Sequence, residues 1–479
     1  MQKISSSITY LLIALAVGIF LAVAIPKILF PYEAHWMEGS MLDAVTRILN
    51  GIHLYAKPNI HYVPWLYEPL YYYVTAGIAK IFGLTFFTAR IPSILSTLAI
   101  CIILYFVIRK ETGKFYYAIA AVGLFIASYA KTEFCLVMAR VDPLFTLFVV
   151  SAFVAVYYSR SNLTLIAGAI LLSLSYFTKQ TGLVFAPSII LYLWFFRGWK
   201  PAIIFSITVA FVIFVGMYVL DLYYGGWYSF YTVLVPRGKG KELRWGYAID
   251  GFIVYIFIRC WLESILLTVI PVKILLSGRK EKREGPIVFF GIFFITSVLA
   301  GFLGILNNGG GHNVLLPVAA ACGIFLPLMA EELSGQGKYV KISLWLIPIQ
   351  LAFLISNPWK DPRNIVTEVD KKRMTDFFAY TASLRGDIWI PYRGYTQKYV
   401  GKGMSAEYNA MKDIFLVGDS TAYRLKNELD TAFANHHWSY IFGELPEKFP
   451  YYRFIGTMRN PNKMFVNDDT LMYIYQPEQ

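Results

Sequence analysis

PYEAHWMEGSMLDAVTRILNGIHLYAKPNIHYVPWLYEPLYYY, residues 31–73, lies between a first apolar segment and a second. It carries Glu33, Glu38 and Asp43 ahead of Gly51, then an aromatic, proline-punctuated run ending in Tyr67-Glu68-Pro69-Leu70. A plain connector between two membrane helices would be short and polar. This one mixes acids with aromatics, as a place where a polar substrate meets a lipid surface would. Glu38 opens a stretch in which Met41, Leu42, Val45 and Leu49 recur at helical spacing. That pattern predicts an amphipathic helix in the membrane interface, with its acid end at the boundary.

Outward from this loop the chain is apolar. Hydrophobic residues make up 57% of the 479 and charged residues 15%. The apolar residues come in blocks, of which 11–30, with Lys27 its only charge, is the first. A helix needs about 20 such residues to cross a bilayer, and an open sheet would leave backbone groups unsatisfied in lipid. The chain therefore reads as an all-α polytopic membrane protein. No A-x-A-like cleavage site flanks the first block, so it is expected to stay as an anchor. Cys101, Cys135, Cys260 and Cys322 fall in or beside apolar segments without ligand spacing, and read as packing residues.

The net charge of +13 does not point to nucleic acid. Lys and Arg gather in short loops at alternate helix ends, at 109–114, 160, 197–200, 273–283 and 338–341. By the positive-inside rule those loops are cytoplasmic, which gives about eleven spans with the N-terminus inside. The opposite face then receives residues 31–88, 131–142, Lys179, 225–247, 307–312 and everything after 357. The tail changes character. Residues 387–391 and 413–418 read as short buried strands, and 369–384 and 421–434 as helices. The expected organisation is a membrane unit, 1–356, followed by a small extracytoplasmic α/β domain, 357–479.

The polar residues of the outer face form one set. Glu38 and Glu33 lie in the first loop. Asp142, in Arg140-Val141-Asp142-Pro143, sits where the fourth span begins; an acid before a proline is also an ordinary helix cap. Lys179, in Lys179-Gln180-Thr181-Gly182, stands on the face where basic residues are disfavoured, either to hold a phosphate or to snorkel from a helix end. His312 and Asn313 follow three glycines, which allow close backbone approach to a ligand. His53 and His61 have no partner at metal-ligand spacing. Paired carboxylates beside cations suit glycosyl or phosphoryl transfer: one acid takes a proton from an acceptor hydroxyl, and the cations neutralise a leaving phosphate. Glu38, Asp142 and Glu33 are the candidate catalytic acids. Arg140, Lys179, Tyr67, His312 and Asn313 are the candidate substrate-binding residues. No cofactor is called for, and a divalent metal is left open.

In this order the features resemble the GT-C membrane glycosyltransferases, in particular the polyprenyl-phosphate-dependent group that includes protein O-mannosyltransferases and the lipid A aminoarabinose transferase. The resemblance rests on Glu38 with Gly51 and Tyr55, the run from Tyr67 to Leu70, Arg140-x-Asp142-Pro143, Lys179-Gln180-Thr181-Gly182, and His312-Asn313 with Leu316-Pro317. The tail, with Pro391-Tyr392-x-Gly394-Tyr395, is similar to the outer domain of bacterial relatives. Where the family often has Asp before the first-loop Glu, this chain has Met37; where many members have Lys before Pro-Pro-Leu, it has Tyr67-Glu68. The resemblance implies a GT-C-like bundle that takes a sugar from a polyprenyl-phosphate donor among the membrane lipids. The acceptor would be a lipid, glycan or protein on the outer face, and the anomeric centre would be inverted. A transporter or flippase of lipid-linked sugars is the alternative; it predicts ionisable residues at the midplane, where this chain has almost none. A non-catalytic assembly subunit would not need the acids.

Overall fold

The computed structural model describes residues 2–240, 243–252, 285–307, 310–335, 339–356, 365–444, 446–461 and 471–478. Residues 253–284, which hold the basic loop expected at 273–283, lie outside the described residues, as does Cys260. Among the described residues, five helices are long and apolar enough to cross a membrane: α1 (Gln2–Leu29), α4 (Phe86–Thr112), α9 (Trp199–Tyr223), and the helices within Pro286–Leu306 and His312–Ser334. Four shorter apolar helices join them: α5 (Phe115–Ala127), α6 (Val141–Tyr157), α7 (Asn162–Thr178) and Val340–Ile355. Most of the exposed large apolar side chains of α9, such as Phe211, Phe214 and Tyr218, face outward as a lipid-contacting wall would.

Several elements differ from the sequence reading. The first loop contains a further helix, α3 (Leu70–Phe82), and α4 starts at Phe86, within the stretch 31–88 expected on the outer face. A Thr85–Thr88 capping box sets that start. The apolar run between Lys179 and Arg197, expected to span the membrane, is broken. A 3-10 stretch, Gln180–Phe185, leads into α8 (Ala186–Tyr192), which ends in a wide turn, Leu193–Arg197. The helix opened by Glu38, α2 (Glu38–Leu49), does not lie on a lipid surface: every side chain from Glu38 to Thr46 is buried. Its apolar stripe was legible, but the C-terminal part of the chain covers the other side.

That C-terminal part carries a four-stranded sheet in the order β1-β2-β4-β3, built from β1 (Ile388–Trp389), β2 (Tyr440–Gly443), β3 (Tyr452–Arg459) and β4 (Leu471–Pro477). β1 and β2 are parallel, and the other pairs antiparallel. The helices expected at 369–384 and 421–434 are Glu368–Ser383 and Ser420–Ala434. Residues 413–418, read as a strand, instead end a helix, Tyr408–Phe415. Glu407 caps it by accepting from the Asn409 and Ala410 N–H groups, and Ala410, Met411 and Ile414 share its buried face.

One apolar core runs from the first loop into this unit. Met41, Val45, Tyr55 and Trp65 share it with Trp389, Met411, Leu425 and Trp438. Backbone contacts reinforce it: the Ala406 N–H donates to the Ile60 carbonyl at 2.8 Å, and Arg424 to that of Pro58. Closest of all is the approach of α2 to residue 394. A Cβ on Gly39 would sit 2.5 Å from the Gly394 carbonyl oxygen, and a Cβ on Gly394 would sit 2.6 Å from Asp43 Oδ2, so glycine is required at both. There the Tyr395 N–H donates to Asp43 Oδ2 at 2.8 Å, while Oδ1 is buried without a partner among the described residues.

Burial pushes the Asp43 carboxyl up to about 7, against the opposing pull of the Tyr395 N–H and Lys398. An acid whose pKa is raised on folding contributes stability at low pH and loses it as pH rises towards the folded value. Asp43→Asn keeps an acceptor for Tyr395 and removes that dependence. Its melting temperature should gain on the wild type's progressively between about pH 4 and pH 7, and the gap should stay constant above that. Melting curves that run parallel for the two proteins across that range would rule out a protonated Asp43 in the folded protein.

Candidate active site

The Arg140-Val141-Asp142-Pro143 stretch sets the floor of the site. Arg140 is the extended residue before α6 and Asp142 the second residue within it, so Asp142 is not the helix cap; no side chain caps that end. A carboxylate in the first turn faces the positive end of the helix dipole, and a proline there removes no helical hydrogen bond. Asp142 is buried and gathers donors from three residues. Lys179 Nζ lies 2.7 Å and Asn313 Nδ2 3.0 Å from Oδ1, and the Arg140 Nε and Nη2 lie 3.3 and 3.2 Å from Oδ2. The sequence placed Asp142, Arg140, Lys179 and Asn313 on one face; the structure brings them into one cluster.

Lys179 is delivered by a turn that only glycine permits. It is the extended residue that ends α7, its N–H bonded to the Ser175 carbonyl. The chain then folds straight back, so that a Cβ on Gly182 would lie 2.5 Å from Ser175 Oγ and 2.6 Å from the Tyr176 nitrogen. Burial alone would lower the pKa of Lys179, but the Asp142 carboxylate outweighs it and the net shift is upward. Two cations against one carboxylate leave a net positive charge.

Above this cluster is a cavity of about 790 Å³. Arg140, Lys179, Asn313 and Tyr67 line it together with Trp36, Trp65, Glu133 and Lys239, and Lys412 and Asp413 complete it from the C-terminal unit. Lys239 and Asp413 close a salt bridge of 2.7 Å between the helices Val235–Lys239 and Tyr408–Phe415. Tyr67 is held by its backbone, whose carbonyl accepts from Tyr55 Oη at 2.5 Å.

Glu38 and Glu33 are elsewhere. Glu38 is fully buried and does not line the cavity. Its Oε1 accepts from Arg90 Nε and the Ala139 N–H, both at 2.8 Å, and its Oε2 from Arg90 Nη2 at 2.7 Å and the Ala34 N–H at 2.8 Å. Arg90, which sequence reasoning missed, also donates to the carbonyls of Lys27, Ile28, Phe30 and Tyr32, at or just beyond the end of α1. These are the acceptors a helix C-terminus leaves open. Glu33 accepts from the Gly39 N–H at 2.8 Å and lies under the C-terminal unit, where burial holds its carboxyl well above the ordinary range in spite of Arg393.

His35 was not singled out from the sequence. With Glu133 and Cys135 it offers three metal-ligand atoms within 4.8 Å of one another. The surroundings do not suit a dication. Arg140 Nη1 lies 3.4 and 3.3 Å from the two His35 ring nitrogens, Glu133 Oε1 already accepts from the His312 N–H at 2.6 Å, and burial pushes the Cys135 thiol upward. A cation there would face the guanidinium and would need a thiolate that burial disfavours.

No curated protein matches the chain by sequence. Residues 63–220 match the family model of the dolichyl-phosphate-mannose-protein mannosyltransferases. In fold the chain is similar to ArnT from Cupriavidus metallidurans bound to undecaprenyl phosphate, with a TM-score of 0.62, 11% identity and 97% of each chain covered. The apo state of that protein gives 0.60 and 11%, covering 96% of this chain and 97% of that one. The oligosaccharyltransferase of Archaeoglobus fulgidus in complex with Zn and sulfate gives 0.50 and 12%, covering 90% of this chain and 68% of that one. The resemblance read from the motifs, the matched family segment and the overall fold agree on a GT-C membrane architecture.

Proposed function

We propose that the protein transfers a sugar from a polyprenyl-phosphate donor to an acceptor at the cavity, on the outer face of the membrane, with inversion at the anomeric carbon. The observation that carries this is the Arg140–Lys179 pair, tied together by Asp142 at the floor of the cavity. A buried, pre-aligned pair of cations is suited to a phosphate whose negative charge grows as the glycosidic bond breaks. Asp142 acts as the positioning residue for both, and Asn313 holds its free edge. Trp36, Trp65 and Tyr67 give the sugar apolar faces to pack on. ArnT from Cupriavidus metallidurans, similar in fold, is bound to undecaprenyl phosphate in one of its structures, which supports the same donor class here.

In this reading residues 1–356 form the catalytic membrane unit with a cytoplasmic N-terminus, and residues 357–479 an outer unit that roofs the cavity. Glu38 is a positioning residue that fixes α2 beneath that roof. A transporter of lipid-linked sugars is disfavoured because the ionisable cluster sits at helix ends beside the cavity. The reading is tested with purified protein in proteoliposomes, given radiolabelled undecaprenyl-phosphate hexoses and pentoses. Release of undecaprenyl phosphate with label passing to a membrane-extract acceptor supports it; label crossing the bilayer still attached to lipid supports the transporter. A reporter active only in the cytoplasm, fused after Gln479, should stay silent.

A further inference from the structure

The proposed transfer, on which this inference rests, requires a group that takes the acceptor's proton. Glu38 and Asp142, the acids the sequence favours most, are both occupied, Glu38 by Arg90 and two backbone N–H groups, Asp142 by Lys179, Arg140 and Asn313. Among the described residues the cavity is lined by two carboxylates, Asp413 and Glu133. Asp413 is taken up by Lys239. Glu133 differs: its side chain is 35% exposed, and no lysine or arginine of the described residues is paired with it. Its Oε1 accepts from the His312 N–H at 2.6 Å, with His312 Nδ1 at 3.7 Å, while Oε2 makes no hydrogen bond among the described residues.

We infer that Glu133 is the general base of the transfer. Its placement is enforced by the backbone. Glu133 and Phe134 have φ of +56° and +57°, left-handed conformations that cost non-glycine residues of order 1–3 kcal/mol and persist only where the surroundings dictate them. Here they do: the Phe134 N–H donates to the Tyr129 carbonyl at 3.0 Å, and the Phe134 ring is held edge-on to Tyr129 and beneath the Lys27 ammonium. From the other side Gly311 makes room, because a Cβ there would meet Glu133 Oε1 at 2.4 Å. His312 then binds Glu133 through its backbone while its neighbour Asn313 binds Asp142. Two consecutive residues thus fix the spacing between the phosphate cradle and the exposed carboxylate.

In the step, the acceptor hydroxyl gives its proton to Glu133 Oε2 as its oxygen bonds to the anomeric carbon. The bond from that carbon to the donor phosphate breaks, and its electron pair leaves on the phosphate oxygen, opposite Arg140 and Lys179. No oxidant, metal or further reactant is consumed.

The test uses full-length protein in proteoliposomes. Glu133→Gln should lower the kcat of sugar transfer by about 10²–10⁴, the range of a general base, with KM for the donor and the affinity for undecaprenyl phosphate unchanged. Formate should restore part of the turnover of Glu133→Ala by replacing the missing carboxylate. Turnover within tenfold of wild type in Glu133→Gln overturns the assignment. So does a loss of turnover accompanied by loss of undecaprenyl-phosphate binding and no response to formate, which is the behaviour of a purely structural residue. Failure of the wild type itself to bind undecaprenyl phosphate sinks the donor reading instead, and with it the role given to Glu133.

Discussion

Glu38→Gln should destabilise the protein by about 3–5 kcal/mol, the usual cost of breaking a buried ion pair from one side. The wild-type carboxylate accepts four hydrogen bonds, two from Arg90 and one each from the Ala34 and Ala139 N–H groups. Glutamine offers one oxygen and one amino group. Whichever way it turns, its amino group meets two of those donors, and the buried Arg90 keeps a charge with nothing to balance it. Because Arg90 also collects the carbonyls at the end of α1, the damage reaches the contact between α1, α2 and α4. Thermal unfolding in detergent, followed by intrinsic fluorescence, should show a melting temperature lowered by several degrees or more. Turnover should fall in proportion to the folded fraction. A variant that melts with the wild type yet loses a hundredfold in turnover would return Glu38 to the role of catalytic base.

The different surroundings of Glu38 and Asp142 mark what was legible in the chain. Apolar block length and the alternation of basic loops announce a polytopic bundle, because the bilayer imposes both on the local sequence. Arg140, Asp142, Lys179 and Asn313 were legible as a set because each sits at a helix end on the same face, and helix ends are where sequence signals are local. The partner of Glu38 was not legible. Arg90 is separated from it by the whole aromatic loop, and nothing near Arg90 in the sequence distinguishes it from a charge flanking a span. Glu133 was passed over because its signal is a backbone conformation: two left-handed residues with no glycine to announce them. The end of the helix Tyr408–Phe415 was misread as a strand since Ile414-Phe415-Leu416-Val417 is apolar with no clear period, and short apolar runs do not distinguish the two.

Lys179→Ala should weaken binding of undecaprenyl phosphate by about 10–150-fold, the equivalent of losing one charge-assisted hydrogen bond of 1.5–3 kcal/mol. The position of the ammonium decides this. A lysine at a helix end in a membrane protein ordinarily reaches for water and headgroups. This one turns inward instead: it is buried, 2.7 Å from Asp142 Oδ1, and lies about as far from the Tyr67 ring as from the Phe145 ring, 5.9 Å to each centroid. Removing it leaves Asp142 with Arg140 and Asn313, so the carboxylate stays partnered and the fold should survive, while the cradle loses its net positive charge. Lys179→Arg tests geometry separately from charge. The bulkier guanidinium has to fit a site closed by the Gly182 turn, so affinity should recover only in part. Binding is read by titrating undecaprenyl phosphate into detergent-solubilised protein at fixed ionic strength, with undecaprenol as the uncharged control. The wild type should discriminate strongly between the two lipids and Lys179→Ala weakly. Equal discrimination by the two proteins would show that the phosphate is held elsewhere, and Lys179 would then serve only to hold Asp142 in place.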